Sequence, residues 1–205
     1  MILEKENTIQ LIKDALPKAV NYESYRNTME TLVSNGKSTG KEQTDALANY
    51  TKLNHSRMRR WDKTFKIDAD LAKRIEEIDQ NIVFLVLTES WCGDAAQSMP
   101  IMNRIAELNP KISFKVILRD ENLELMDQFL TNGGRSIPKL IARDENGNDL
   151  FDWGPRPSHI NTVYHDLRKN EVPYSEISIE LQKLYNKDKG VAIQNEIVQK
   201  IKSKN

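Results

Sequence analysis

The sequence predicts an α/β protein with a central mixed sheet, an N-terminal helical region and a C-terminal helical extension. A change of hydrophobic period carries this prediction. Apolar residues recur at steps of three and four before residue 81, which is typical of amphipathic helices. The continuous run Ile82 to Leu87 then indicates a strand covered on both faces, and strand and helix patterns alternate from there to residue 170. We therefore divide the chain into residues 1–80, 81–170 and 171–205.

Composition places the chain among ordinary globular proteins. Its 205 residues carry 30 Lys+Arg and 30 Asp+Glu, and this zero net charge argues against bulk capture of nucleic acid. Its longest apolar run, Ile82 to Leu87, is far shorter than the ~20 residues that span a bilayer, and charges follow directly after Leu3. We expect no membrane partner and no secretion signal. One cysteine cannot form an internal disulfide, which favours the cytoplasm.

Three helices are predicted in residues 1–80. Asn35-Gly36 ends the first, because glycine readily adopts the left-handed conformation at a helix C-terminus. Asp68 is the expected N-cap of the third, which carries Leu71, Ile75 and Ile78. The first two apolar stripes are Tyr22, Tyr25, Met29, Leu32 and Val33, and Leu47, Tyr50, Leu53, Met58, Trp61 and Phe65.

The middle region reads β-α-β-α-β-β-α, which predicts two parallel crossovers followed by a hairpin. Asn146-Gly147 between two apolar segments predicts the hairpin, in which Leu150-Phe151 pairs antiparallel with the strand before it. The elements after the first strand are a helix over 95–108, a strand over Ile112–Leu118, a helix over Glu121–Leu130, a strand over Pro138–Arg143, and a helix after Pro157-Ser158.

The tail, residues 171–205, carries two apolar stripes at helical spacing. They are separated by the polar segment Asn186 to Gly190. An apolar face on a terminal helix needs cover. We expect either the same chain or a second copy, in a homodimer, to supply it.

The only cysteine, Cys92, stands where the first strand gives way to a helix. The free N–H groups and the dipole at a helix start favour an anion and can lower the pKa of a thiol. Asp94, two residues on, opposes a second negative charge. A buried, unreactive cysteine is the ordinary alternative, and both readings stay open.

Trp91-Cys92-Gly93, Pro100 and Ile137-Pro138 together resemble the thioredoxin family, over roughly residues 81–170. The resemblance implies a thioredoxin fold in which the peptide bond before Pro138 is cis and Pro138 lies against the cysteine. It also implies a groove that binds extended peptides. The implied catalytic residue is Cys92, and the implied substrate-binding residues are Trp91, Gly93, Asp94, Ser136, Ile137, Pro138 and Gly154.

The chain also departs from that family at three positions. Ala95 stands where the resemblance calls for a second, resolving cysteine, Asp94 replaces the proline between the cysteines, and Val86 replaces a buried acid. A mixed disulfide on Cys92 therefore cannot be resolved internally. Dithiol disulfide reductase activity is excluded. One hypothesis is a monothiol redox protein that forms reversible mixed disulfides with a protein or small thiol. The other is a non-catalytic binding module in which Cys92 is incidental.

Other candidate sites are weaker. Of the three histidines, His159 is the nearest candidate to pair with Cys92, although a helix-start or surface role is the simpler reading. Arg135 and Arg156 are expected beside the groove. The dispersed histidines and lone cysteine lack the paired spacing of a zinc site, and no phosphate-binding loop is present. We expect no metal and no cofactor.

Overall fold

The computed structural model describes residues 2–202, with the side chains of residues 6–201. Its centre is a four-stranded mixed sheet with helices packed on it, as the sequence predicts. None of the helices within residues 2–202 is long and apolar enough to cross a membrane. The strands are β1 (Ile82–Thr88), β2 (Ile112–Leu118), β3 (Lys139–Asp144) and β4 (Asp149–Trp153), and the helices are α1 (Ile2–Ala15), α2 (Tyr22–Ser34), α3 (Asp45–Thr64), α4 (Ala69–Glu76), α5 (Gly93–Glu107), α6 (Leu123–Met126), α7 (Ser158–Lys169), α8 (Tyr174–Asp188) and α9 (Val191–Lys202).

The strand order is β2-β1-β3-β4. β1 and β2 are parallel and joined by α5, whereas β3 is antiparallel to β1. The second predicted parallel crossover is therefore wrong. The expected helix over Glu121–Leu130 breaks into the single turn α6 between two 3-10 turns. The connection thus lacks a crossover helix: α6 rises only about 6 Å, whereas a seven-residue strand spans about 23 Å, and β3 runs antiparallel to β1.

The predicted hairpin and helix starts are confirmed. β3 and β4 pair antiparallel, with Leu140 opposite Trp153 and Ala142 opposite Phe151. The Asp68 side chain accepts hydrogen bonds from the N–H groups of Asp70 and Leu71 at the start of α4. These features rest on a few neighbouring residues, which is why the sequence predicts them.

Met58, Trp61 and Phe65 of the predicted stripe are buried, but the first half of helix α3 buries a different face from the one the stripe predicts. Tyr50 and Leu53 are 37% and 45% exposed, whereas Thr51 and Asn54 are fully buried beside Met58 and Trp61. Both buried polar side chains bond to Ser90, just after β1. Thr51 Oγ1 lies 2.8 Å from Ser90 Oγ, and Asn54 Nδ2 donates to the Ser90 carbonyl at 3.1 Å. These hydrogen bonds turn the polar face of α3 inward.

The apolar face of the tail is covered by the same chain. Ile193, Ile197 and Val198 of α9 are buried in the common core. Trp153 Nε1 donates to Glu196 Oε2 at 2.7 Å, which fixes α9 against β4. The same chain therefore covers the apolar face of α9, as one of the two alternatives predicted. A homodimer stays a prediction.

The burial pattern of α3 predicts unequal effects for two neighbouring alanine substitutions. Asn54→Ala should lower the free energy of unfolding by about 2 kcal/mol, because it leaves the buried Ser90 carbonyl without its donor. Leu53→Ala should change it by no more than about 0.5 kcal/mol, since this side chain is largely exposed. Urea unfolding of both variants measures the difference. A larger loss in Leu53→Ala than in Asn54→Ala would contradict this assignment.

Candidate functional site

Cys92 is the N-cap of α5 and is almost enclosed. It is 7% exposed, and its Sγ accepts a hydrogen bond from the Ala95 N–H at 3.4 Å. The thiol donates to the Ile137 carbonyl at 3.2 Å. The sulfur is therefore held between the start of a helix and the loop that precedes β3.

Burial decides the protonation state of this sulfur. It raises the pKa of the Cys92 thiol to about 12, and the nearby Asp94 carboxylate adds to the effect. The Ala95 N–H and Arg156 favour the thiolate, but their contributions are smaller. The helix start does stabilise an anion, as the sequence suggests, yet desolvation outweighs it. Cys92 is a neutral thiol at physiological pH.

The loop before β3 meets the β4–α7 loop at Gly154. The Ile137–Pro138 and Gly154–Pro155 peptide bonds are both cis. Gly154 has φ 120°, and a Cβ atom there would lie 2.1 Å from the Pro138 carbonyl oxygen. Glycine is required at this position because the two backbones touch.

Asp94 lies in the first turn of α5 and is a buried partner of two other elements. Arg156 Nη2, from the β4–α7 loop, lies 2.7 Å from its Oδ2. The Tyr185 hydroxyl, from α8, donates to its Oδ1 at 2.9 Å. Burial raises the pKa of Asp94, and Arg156 is the largest influence opposing that rise. The carboxylate that the resemblance places in substrate contact is thus largely occupied by the protein itself.

An open groove of about 190 Å³ borders the cysteine. Pro138 and Gly154 contact each other and do not line it, whereas Arg135 and Arg156 lie beside it as expected. The remaining residues of the implied site all line this groove, namely Trp91, Cys92, Gly93, Asp94, Ser136 and Ile137.

Sequence reasoning missed several groove residues. Arg119 lies with its guanidinium 5.0 Å from the centre of the Trp91 ring. Arg119 directly follows β2. Because parallel strands end at the same edge of a sheet, its position near the residues that follow β1 could have been predicted from the sequence. His165 and Tyr174 come from α7 and α8, whose placement no local pattern reveals. His159, the suggested partner of Cys92, instead lies 3.7 Å from Asp188 and does not line the groove.

The turn that carries Trp91 and Cys92 is fixed from the N-terminal region. The Ser90 N–H donates to Thr39 Oγ1 at 2.8 Å, and the Thr39 N–H donates to Ser90 Oγ at 2.9 Å. Thr51 and Asn54 of α3 complete the set described above. Residues far apart in the chain therefore form hydrogen bonds with the N–H, the carbonyl and the hydroxyl of Ser90.

Glu89, next to this turn, is a buried acid with one unpaired oxygen. Its residue is 0% exposed, and its Oε1 accepts from the Asp120 N–H at 2.9 Å. Its Oε2 is buried without a hydrogen-bond partner. Burial raises the pKa of Glu89, and the neighbouring Asp120 carboxylate adds to the rise.

No group of three or more His, Cys, Asp or Glu side chains within the described part of the chain is arranged to hold a metal ion.

A family model described as Thioredoxin matches residues 40–168. This chain belongs to the thioredoxin family. The match begins before α3, so it includes the helix that fixes Ser90 as well as the sheet. The division of the chain at residues 80 and 170 stays a prediction.

Solved structures agree with a thioredoxin-like fold. A protein of unknown function from Pseudomonas aeruginosa is 17% identical, with a TM-score of 0.58, over 90% of this chain and 98% of its own. An HIV epitope scaffold is 16% identical, with a TM-score of 0.55, over 90% of this chain and 99% of its own. At these identities the likeness concerns the fold alone. No curated protein matches the chain.

The contact between the two loops predicts a severe effect of Gly154→Ala. The added Cβ would meet the Pro138 carbonyl, and we expect a loss of about 3 kcal/mol in the free energy of unfolding. Gly133→Ala is the matched control, since Gly133 also has a positive φ but nothing lies within 4 Å of its Cβ position. It should cost about 1 kcal/mol. Equal losses in urea unfolding would show that the close approach is not a constraint.

The buried carboxyl of Glu89 predicts a pH-dependent effect of Glu89→Gln. A raised pKa means that the folded protein binds this proton more tightly than the unfolded chain. The stability from Glu89 is then complete below its ordinary pKa of 4.5 and is lost as pH rises through the folded value. Glu89→Gln should match the wild type near pH 4 and be more stable near pH 8.

Urea unfolding at both pH values tests this expectation, with the exposed Glu124→Gln as a control for the change in net charge. A Glu89→Gln variant less stable than the wild type at the higher pH would show that the carboxylate itself is stabilising.

Proposed function

We propose that this thioredoxin-family protein binds an extended peptide segment in the groove beside Cys92 and that Cys92 takes part as a neutral thiol. The observation that carries the proposal is the state of the sulfur. It is enclosed, its S–H is donated to Ile137, and its pKa is raised to about 12, while the groove next to it is open. A nucleophile needs the thiolate, so this arrangement favours binding over exchange.

The groove wall offers backbone for such a segment. The Ile137 carbonyl already accepts from Cys92, but no hydrogen bond among the described residues uses the Ile137 N–H. Ser136 lies beside it in the wall. A free N–H along an extended stretch can pair with the carbonyl of an added strand, which binds a peptide largely independently of its side chains.

Monothiol exchange is the second candidate function, in thiol redox homeostasis in the cytoplasm. Its support is the N-cap position of Cys92, where the Ala95 N–H points at the sulfur. The Cys92 thiolate would attack a disulfide of a protein or small-molecule partner, form a mixed disulfide and release the other sulfur as a thiolate. Because Ala95 supplies no resolving thiol, an external thiol must reduce that adduct. This route requires the sulfur to be uncovered first.

Alkylation separates the two functions. At about pH 8 the native protein should react with iodoacetamide roughly a thousandfold more slowly than the urea-unfolded chain, given a pKa of about 12 against the ordinary 9.0. Mass spectrometry of the intact protein follows the reaction, and Cys92→Ser reports modification elsewhere.

A native rate equal to or above that of the unfolded chain would show an accessible thiolate. In that case monothiol exchange replaces the proposal that the thiol is held neutral, and isolation without reducing agent should recover a sulfur-linked partner from wild type but not from Cys92→Ser.

A further inference from the structure

The groove beside Cys92 presents cations to an occupant. Arg119, Arg135 and Arg156 line it together with His165. Asp94 is the one carboxylate among its lining residues in the described part of the chain, and it is paired with Arg156. The partners of the other two arginines, Asp120 and Asp127, do not line the groove. Their carboxylates form ion pairs with the guanidinium groups of Arg119 and Arg135.

Two residues that line the groove, Arg156 and Thr131, each carry a buried donor without an acceptor. Arg156 Nε and Thr131 Oγ1 are both buried without a hydrogen-bond partner. The Arg156 guanidinium cannot turn freely towards water, because Nη2 is bonded to Asp94 and its centre lies 3.9 Å from the centre of the Tyr164 ring. An unsatisfied buried donor is costly, and an acceptor brought by a ligand removes that cost.

Arg135 adds a charged donor to the same wall. Its Nε and Nη2 hold the Asp127 carboxylate at 2.6 and 2.7 Å. This two-bond pairing fixes the plane of the guanidinium and leaves Nη1 for another acceptor. Thr131 and Arg135 lie between α6 and β3, and Arg156 lies in the β4–α7 loop. All three side chains can donate a hydrogen bond to a negatively charged oxygen.

We infer that the segment bound in this groove carries an acidic side chain, whose carboxylate accepts hydrogen bonds from Arg156, Thr131 and Arg135. The inference rests on the proposed function, because it names the chemistry of the peptide that the groove takes. The Ile137 N–H binds the backbone of the segment, and Arg135 and Arg156 bind its negatively charged side chain.

Two peptides that differ in one group test the inference. The probes are acetyl-Val-Thr-Glu-Val-Thr-amide and acetyl-Val-Thr-Gln-Val-Thr-amide, titrated into the full-length ¹⁵N-labelled protein. Both should shift the amide resonances of Ser136 and Ile137. The Glu peptide should bind about tenfold more tightly than the Gln peptide, since a charge-assisted hydrogen bond to the arginine wall is lost in the amide.

Two variants assign the preference to the wall. Thr131→Val and Arg135→Gln should each reduce the preference for the Glu peptide at least about threefold. Both should fold, because the first removes an unpaired hydroxyl and the second breaks only an exposed ion pair. Arg104→Gln, which breaks another exposed ion pair with Glu107, should keep the wild-type preference.

The outcomes separate the inference from the function beneath it. Equal binding of both peptides, with shifts at Ile137, overturns the acidic preference and leaves peptide binding in place. A preference that survives in both wall variants overturns the assignment to these residues. No shift at Ser136 and Ile137 with either peptide overturns the inference and the proposed peptide binding together.

Discussion

The buried carboxylate of Asp94 is the constraint on which the site depends. A charge in the interior must be compensated, and here Arg156 and the Tyr185 hydroxyl compensate it. These partners belong to the β4–α7 loop and to α8, so the ion pair fixes the start of α5 against both. The same Asp94 carboxylate also raises the pKa of Cys92. A single acidic residue beside the cysteine therefore links the position of the C-terminal extension to the state of the thiol.

A second set of buried polar groups acts from the other end of the chain. Thr39, Thr51 and Asn54 satisfy Ser90 and hold the turn that presents Trp91 and Cys92. Hydrogen bonds in a dry interior impose strict geometry, because a displaced partner leaves a donor or acceptor unpaired. Helix α3 is thus part of the site, and it lies within the family match, which begins at residue 40.

The balance at Cys92 shows how one local motif supports two different chemistries. The free N–H groups and the dipole at a helix N-terminus stabilise a thiolate. Removal of water from the sulfur opposes the charge more strongly, and Asp94 adds to that opposition. The neutral sulfur is hydrogen-bonded to the Ile137 carbonyl. The groups left to bind a ligand are then the Ile137 N–H and the arginine side chains of the groove. This arrangement is the basis for the proposed binding of a peptide segment in the groove.

The sequence alone determined the elements that depend on neighbouring residues. The period of β1, the cap at Asp68, the Asn146-Gly147 hairpin and the resemblance around Trp91-Cys92-Gly93 all lie within short segments. Only the tertiary structure decided the direction of β3, the buried face of α3, the partners of Asp94 and the pKa of Cys92. Each of these depends on desolvation, or on partners many residues away, and neither leaves a periodic signal in the chain.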